Sequence, residues 1–131
     1  MNKCISNEIN TACWQGKADG SLEILDQTKL PTQITYIVCK DVPAVIESIK
    51  SLRVRGAPAI GIAGAYGMVL AVQSATLIKD SWEKKLAYIR QRAEDLATAR
   101  PTAVNLRWAI QRIERLILSA GEDPDFSKVL N

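Results

Sequence analysis

The stretch GAPAIGIAGAYGMVLAVQSATLI, residues 56–78, decides how this chain is read, because it runs 23 residues without a charge. At about 1.5 Å per residue such a run is long enough to cross a membrane. Its content speaks against a span: Gly56, Gly61, Gly64, Gly67, Pro58, Gln73, Ser74 and Thr76 dilute its apolar character, and no aromatic belt or one-sided basic flank frames it. The expectation is a helix that opens at Pro58, a favoured first-turn residue, runs to about Ile78 and is buried inside a soluble domain. Gly61, Gly64 and Gly67 lie three apart and predict a smooth ridge on which a neighbouring helix approaches closely, although each glycine costs about 1 kcal/mol in helix propensity.

On the N-terminal side of this helix the pattern changes. Asp41 is placed to cap a helix in which Val42, Val45, Ile46, Ile49 and Leu52 recur at helical spacing, with Pro43 tolerated in the first turn. Before it, residues 21–26 (SLEILD) and 34–39 (ITYIVC) are rich in strand formers, and the connection with Pro31 separates them. They predict an antiparallel hairpin, with room for a third strand around residues 11–15. On the C-terminal side, a third helix opens at Ser81 and puts Trp82, Leu86, Ile89, Ala93 and Leu96 on one face. A fourth starts near Pro101 or Thr102, aligns Leu106, Ile110, Ile113 and Ile117, and stops at a Gly121 C-cap. Asp123-Pro124-Asp125 then reads as the start of a further helix with no room to finish before Asn131, the pattern expected of a segment of a longer protein. The fold class is therefore α+β: a small antiparallel sheet of two to three strands followed by about four helices.

Composition bounds the chemistry. With 131 residues, 47% hydrophobic and 24% charged, the chain is a single globular domain able to bury a core without staples. Histidine is absent, which excludes Ser-His-Asp and Cys-His catalysis, HExxH metalloproteases and Cys2His2 fingers. The net charge of +3 is spread among acids along the chain, so no nucleic-acid footprint appears. Cys4, Cys13 and Cys39 are odd in number and form no CxxC pair, and residues 1–10 lack the apolar core of a signal peptide. Reduced thiols in a cytoplasm are the expectation.

Val54-Arg55-Gly56-Ala57-Pro58 places an arginine and a glycine immediately before a helix N-terminus. That end carries about half a positive charge and outward N–H groups, so an arginine there is misplaced unless an anion sits between guanidinium and amides. Arg100 repeats the arrangement before the fourth helix. If the two helix ends are neighbours, both arginines converge on one anion; local pattern alone leaves open that each merely pairs with a surface carboxylate. Gly61, Gly64 and Gly67 are no dinucleotide fingerprint, since they lie within a helix and follow no strand. Glu94 and Asp95 sit on a charged helix face and read as solvated, and each cysteine reads as a small buried hydrophobe.

VRGAPAIGIAGAYG (54–67), ARPTAVNLRWA (99–109) and LEILDQTKLP (22–31) together resemble, in order and spacing, the N-terminal domain of the S-methyl-5-thioribose-1-phosphate isomerase family. The wider family includes ribose-1,5-bisphosphate isomerases and the alpha, beta and delta regulatory subunits of the guanine-nucleotide exchange factor for translation initiation factor two. Pro58 and the ARPTAVNL stretch look more like the isomerase. The resemblance implies that residues 1–131 are a phosphate-positioning N-terminal domain, with Arg55, Gly56, Ala57 and Arg100 binding substrate. It also implies a following Rossmann-like domain, absent here, that carries the catalytic cysteine and aspartate, so that no catalytic residue lies in this chain. A cytoplasmic homodimer of the full-length protein, with no metal or other cofactor, is the accompanying expectation. A non-catalytic, sugar-phosphate-sensing relative is the alternative.

Overall fold

A computed structural model describes residues 12–17 and 19–120. The features expected at Cys4, at Thr11, at Gly121 and beyond it lie outside these residues. Three strands, β1 (Ala12–Gln15), β2 (Ser21–Leu25) and β3 (Tyr36–Cys39), precede four helices, α1 (Val42–Lys50), α2 (Ala57–Thr76), α3 (Trp82–Ala97) and α4 (Val104–Ala120). The sheet is an antiparallel meander in the order β1-β2-β3. Its register sets Ala12 opposite Ile24, Trp14 opposite Leu22, and Leu22 opposite Cys39. The alternation of strand side chains thus turns these residues to one face, where they pack into the core, and Trp14 stacks on Tyr66 of α2 with ring centroids 5.2 Å apart.

α2 lies at the centre, touching α1, α3, α4, β1 and β2. It is the one helix among the described residues long and apolar enough to span a membrane, and 67% of that apolar window is buried within the fold. Apolar residues lie all round its circumference, and most of them pack against protein, with Ile62 left exposed. The glycine ridge, however, does not serve one neighbour. Side chains added at Gly61 and Gly64 would meet α4, at Asn105, Ala109, Leu106 and Ile110, whereas one at Gly67 would meet Leu96 of α3 and Val45 of α1. Each three-residue step falls about 60° short of a full turn, so positions six apart face different partners.

The amphipathic helices match their periodicity: Val42, Val45, Ile49, Ile89, Ala93, Leu96, Leu106, Ile110 and Ile117 are buried. Asp41 accepts from the Ala44 amide and Ser81 from that of Lys84, the two capping contacts that start α1 and α3. Other boundaries differ for local reasons. Asp26 leaves β2 because its side chain caps the 3-10 turn Gln27–Lys29. α4 starts at Val104, later than Pro101 or Thr102, because the Ala103 amide closes a turn on the Arg100 carbonyl, 2.9 Å away. Leu52 lies beyond α1 instead of on its apolar face, with φ of 60°. The Arg53 amide bonds to the Ser48 carbonyl (2.9 Å) and the Leu52 amide to the Ile49 carbonyl (3.3 Å), so α1 ends in a Schellman turn. Leucine occupies the position that glycine usually takes, at a cost of about 1–2 kcal/mol for its left-handed backbone.

Cys39 is a fully buried free thiol beside the Ser48 hydroxyl, and burial pushes its pKa up, which leaves it neutral and inert. Cys13 corrects the expectation of reduced thiols throughout, since it is disulfide-bonded.

A charged cluster ties the β2–β3 connection to α1. Arg53 donates from Nη1 to Asp26 (2.9 Å) and from Nε to Glu47 (3.0 Å), while the Gln27 amide donates to the Arg53 carbonyl (2.8 Å). Burial pulls the Asp26 carboxyl upward, but hydrogen bonds from the Thr28 hydroxyl and amide and the charge of Arg53 outweigh it, and the group stays below its ordinary range. Hydrogen bonds from Arg53 and Ser51 likewise lower Glu47. Both carboxyls bind protons more weakly in the folded state than in the unfolded one, so the stability they contribute is present above the unfolded pKa and lost as pH falls through the folded value. The thermal midpoint is expected to stay level from pH 7 to about pH 5 and to fall below about pH 4, and Asp26→Asn should flatten that acid limb. A melting series against pH on both proteins checks it.

Candidate functional site

The turn that ends α1 delivers the chain into α2 through Arg55 and Gly56. Gly56 caps α2 with φ 88° and ψ 137°, a conformation open to glycine and strained for other residues. An added Cβ there would meet nothing within 4 Å, so the demand is conformational and not one of space. Gly56→Ala should therefore destabilise by about 1–3 kcal/mol through backbone strain alone, read as a lowered urea midpoint at unchanged slope. Having no side chain, Gly56 leaves the first turn of α2 without a capping hydrogen bond. Pro58 has no N–H to offer, and the amides of Ala57 and Ala59 remain for an external acceptor.

The packing of α4 against α2 sets the N-terminal ends of both helices on one cleft of ≈ 580 Å³. Leu52, Arg55, Gly56, Ala57 and Ile60 form one wall, and Arg100, Thr102, Ala103, Val104 and Asn105 the other. All four residues singled out from the sequence, Arg55, Gly56, Ala57 and Arg100, therefore line a common volume. Arg55 donates from Nε to the Leu52 carbonyl at 3.0 Å, which orients the guanidinium and leaves its two terminal nitrogens for a ligand. Among the described residues neither Arg55 nor Arg100 forms an ion pair, whereas Arg53, Lys84, Arg92 and Arg107 all do. Two unneutralised guanidinium groups and two positive helix ends in one cleft make a place for a dianion such as phosphate.

Sequence reasoning missed Leu52, Thr102 and Asn105 as wall residues. Thr102 and Asn105 carried a legible signal, being polar residues at a helix start next to Arg100; Leu52 carried none, since its periodicity pointed to the core. Glu94 and Asp95 are engaged by Arg107 and Arg92, as a charged helix face predicts. Among the described residues no three His, Cys, Asp or Glu side chains gather as metal ligands.

Comparison with known proteins gives the family and its relatives. A sequence profile described as the Initiation factor 2 subunit family matches residues 53–130. The chain is 48% identical over 117 residues to the methylthioribose-1-phosphate isomerase of Pelotomaculum thermopropionicum, covering 88% of this chain and 31% of that protein. It is 44% identical over 124 residues to the enzyme of the same name from Xanthomonas campestris pv. campestris, covering 95% of this chain and 33% of the relative. Among solved structures it is similar to 5-methylthioribose 1-phosphate isomerase from Pyrococcus horikoshii OT3, with TM-score 0.78 and 31% identity over 95% of this chain and 33% of that one. The delta subunit of translation initiation factor eIF-2B from A. fulgidus matches with TM-score 0.77 and 34% identity over 93% of this chain and 33% of that one. The chain thus spans about a third of the length of the relatives it matches.

Proposed function

This chain belongs to the Initiation factor 2 subunit family, and we propose that it is the phosphate-positioning N-terminal domain of an aldose-ketose isomerase acting on 5-methylthioribose 1-phosphate. The observation that carries the reading is the shared cleft, in which Arg55 and Arg100, without an ion pair among the described residues, meet the uncapped N-terminus of α2 and the start of α4. In the proposed reaction, which belongs to methionine salvage, the sugar ring opens before hydrogen moves between C1 and C2. Arg55, Arg100 and the amide of Ala57, which Gly56 leaves uncapped, would hold the phosphate and fix C1 and C2 relative to the reacting groups. Those groups, an acid for ring opening and a group for the transfer, would come from a Rossmann-like C-terminal domain beyond this chain. Supporting such a partner, Val104 and Trp108 on α4 and Ile62 on α2 are exposed beside the cleft, at 77%, 57% and 43%. The reading includes a full-length homodimer in the cytoplasm, working without metal or other cofactor.

Fold alone does not separate isomerase from initiation-factor relatives, since the two solved structures match equally well. Sequence favours the isomerase, with curated relatives of that name at 42–48% identity. The test is titration of the purified chain with inorganic phosphate, followed by amide NMR, and an assay with 5-methylthioribose 1-phosphate. Shifts centred on Arg55, Gly56, Ala57 and Arg100 without turnover are expected. Turnover by this chain alone, or phosphate shifts confined to another face, would overturn the proposal.

A further inference from the structure

Arg55 is aimed by a carbonyl whose own position is unusual. The Leu52 carbonyl that accepts its Nε–H belongs to a leucine held in the left-handed region, in the Schellman turn that ends α1. Such a turn ordinarily rests on glycine, so something beyond local preference must hold it here. The neighbouring residue supplies that hold. Arg53 is fixed at five points: Nη1 on Asp26 at 2.9 Å and on the Thr28 hydroxyl at 3.3 Å, Nε on Glu47 at 3.0 Å, its carbonyl accepting from Gln27 at 2.8 Å, and its amide donating to Ser48 at 2.9 Å. Asp26 is itself anchored, nearly fully buried and bonded to the Thr28 amide at 3.0 Å, and its amide donates to Thr35 at 2.8 Å.

We propose that Arg53 is a positioning residue for the anion cleft, bridging Asp26 of the β2–β3 connection and Glu47 of α1 so that the strained Leu52 turn presents its carbonyl to Arg55. The chain of contacts runs from the β2–β3 connection through Arg53 to the Leu52 carbonyl and on to the Arg55 guanidinium. Arginine suits this place because its planar fork reaches two carboxylates in different directions at once, which an ammonium cannot do with the same geometry. The inference rests on the phosphate role proposed for Arg55, and it goes further by assigning a residue that does not itself touch the ligand.

The test follows two readouts on the 131-residue chain: the exchange rate of the Arg55 Nε–H by NMR, and affinity for inorganic phosphate by titration. Arg53→Gln is expected to speed exchange of that proton at least about tenfold and to weaken phosphate binding at least about fivefold, with Arg53→Lys between it and the parent. A role confined to stability would lower the melting midpoint while leaving both readouts, taken well below that midpoint, as they were. Unchanged Arg55 exchange in folded Arg53→Gln overturns the inference, whatever happens to phosphate affinity. If Arg53→Gln does not fold, Glu47→Gln on the exposed arm of the bridge decides by the same criterion. If the parent chain binds no phosphate, the function proposed for the cleft fails, and the exchange readout still decides whether Arg53 positions Arg55.

Discussion

Arg55→Ala is expected to weaken phosphate binding by this chain about 10- to 150-fold, the equivalent of losing one charge-assisted contact worth about 1.5–3 kcal/mol. The reason is geometric as well as electrostatic. The Leu52 carbonyl orients the guanidinium over the cleft at 3.0 Å from Nε, so the two remaining nitrogens are already in place and little side-chain freedom is lost on binding. In a full-length protein the same change should lower kcat/KM by a similar factor. A rise in KM alone would mean that Arg55 holds ground state and transition state equally; an equal fall in kcat and kcat/KM would place the contact in the transition state. Arg55→Lys should rescue only in part, because an ammonium keeps the charge but loses both the fork and the Leu52 anchor. Titration of the three proteins with phosphate at fixed ionic strength measures the series. Full affinity in Arg55→Ala would show the arginine to be a bystander on the cleft wall.

Gly64→Leu is expected to destabilise the domain by about 1–3 kcal/mol or more. A single added Cβ would lie 2.5 Å from Leu106 Cδ1 and 3.3 Å from Ile110 Cγ1, both on α4. Leu106 and Ile110 are buried, at 0% and 2% exposure, so neither side chain can swing aside into solvent. The contact between α2 and α4 would have to open, and with it the cleft formed by their N-terminal ends. Ala87→Leu, on the exposed face of α3, adds the same kind of bulk where nothing opposes it and should stay within about 0.5 kcal/mol of the parent. Urea midpoints for the three proteins test the contrast, and an unchanged midpoint in Gly64→Leu would remove the argument for close α2–α4 packing.

Much of this protein was legible residue by residue. An uncharged run from Gly56 to Ile78 requires burial whatever surrounds it, and α2 is the buried centre of the fold. The helical spacing of Val42, Val45 and Ile49, of Ile89, Ala93 and Leu96, and of Leu106, Ile110 and Ile117 specifies which face of each helix turns inward, because that periodicity is a property of the backbone alone. Asp41 and Ser81 mark their helix starts because capping is a contact between residues three apart. Arg55, Gly56 and Arg100 stand out on the same local ground, an arginine out of place at a positive helix end, and the family resemblance adds Ala57.

Tertiary structure decided the rest, where the outcome depended on which faces meet. Arg55 and Arg100 are separated in sequence by all of α2 and α3, and only the packing of α4 alongside α2 in the same direction puts both helix starts on one cleft. The even spacing of Gly61, Gly64 and Gly67 suggested one partner, yet α4 takes the first two and α3 with α1 the third, since helical rotation accumulates along the ridge. Asp26 read as the end of a strand and Leu52 as the last apolar residue of a helix. Each instead turns the chain, held by Arg53, whose two carboxylate partners come from different parts of the fold, Asp26 from the β2–β3 connection and Glu47 from α1. Periodicity encodes the face a residue presents; a bridge between a sheet connection and a helix end arises only when long-range packing has brought them within hydrogen-bond reach.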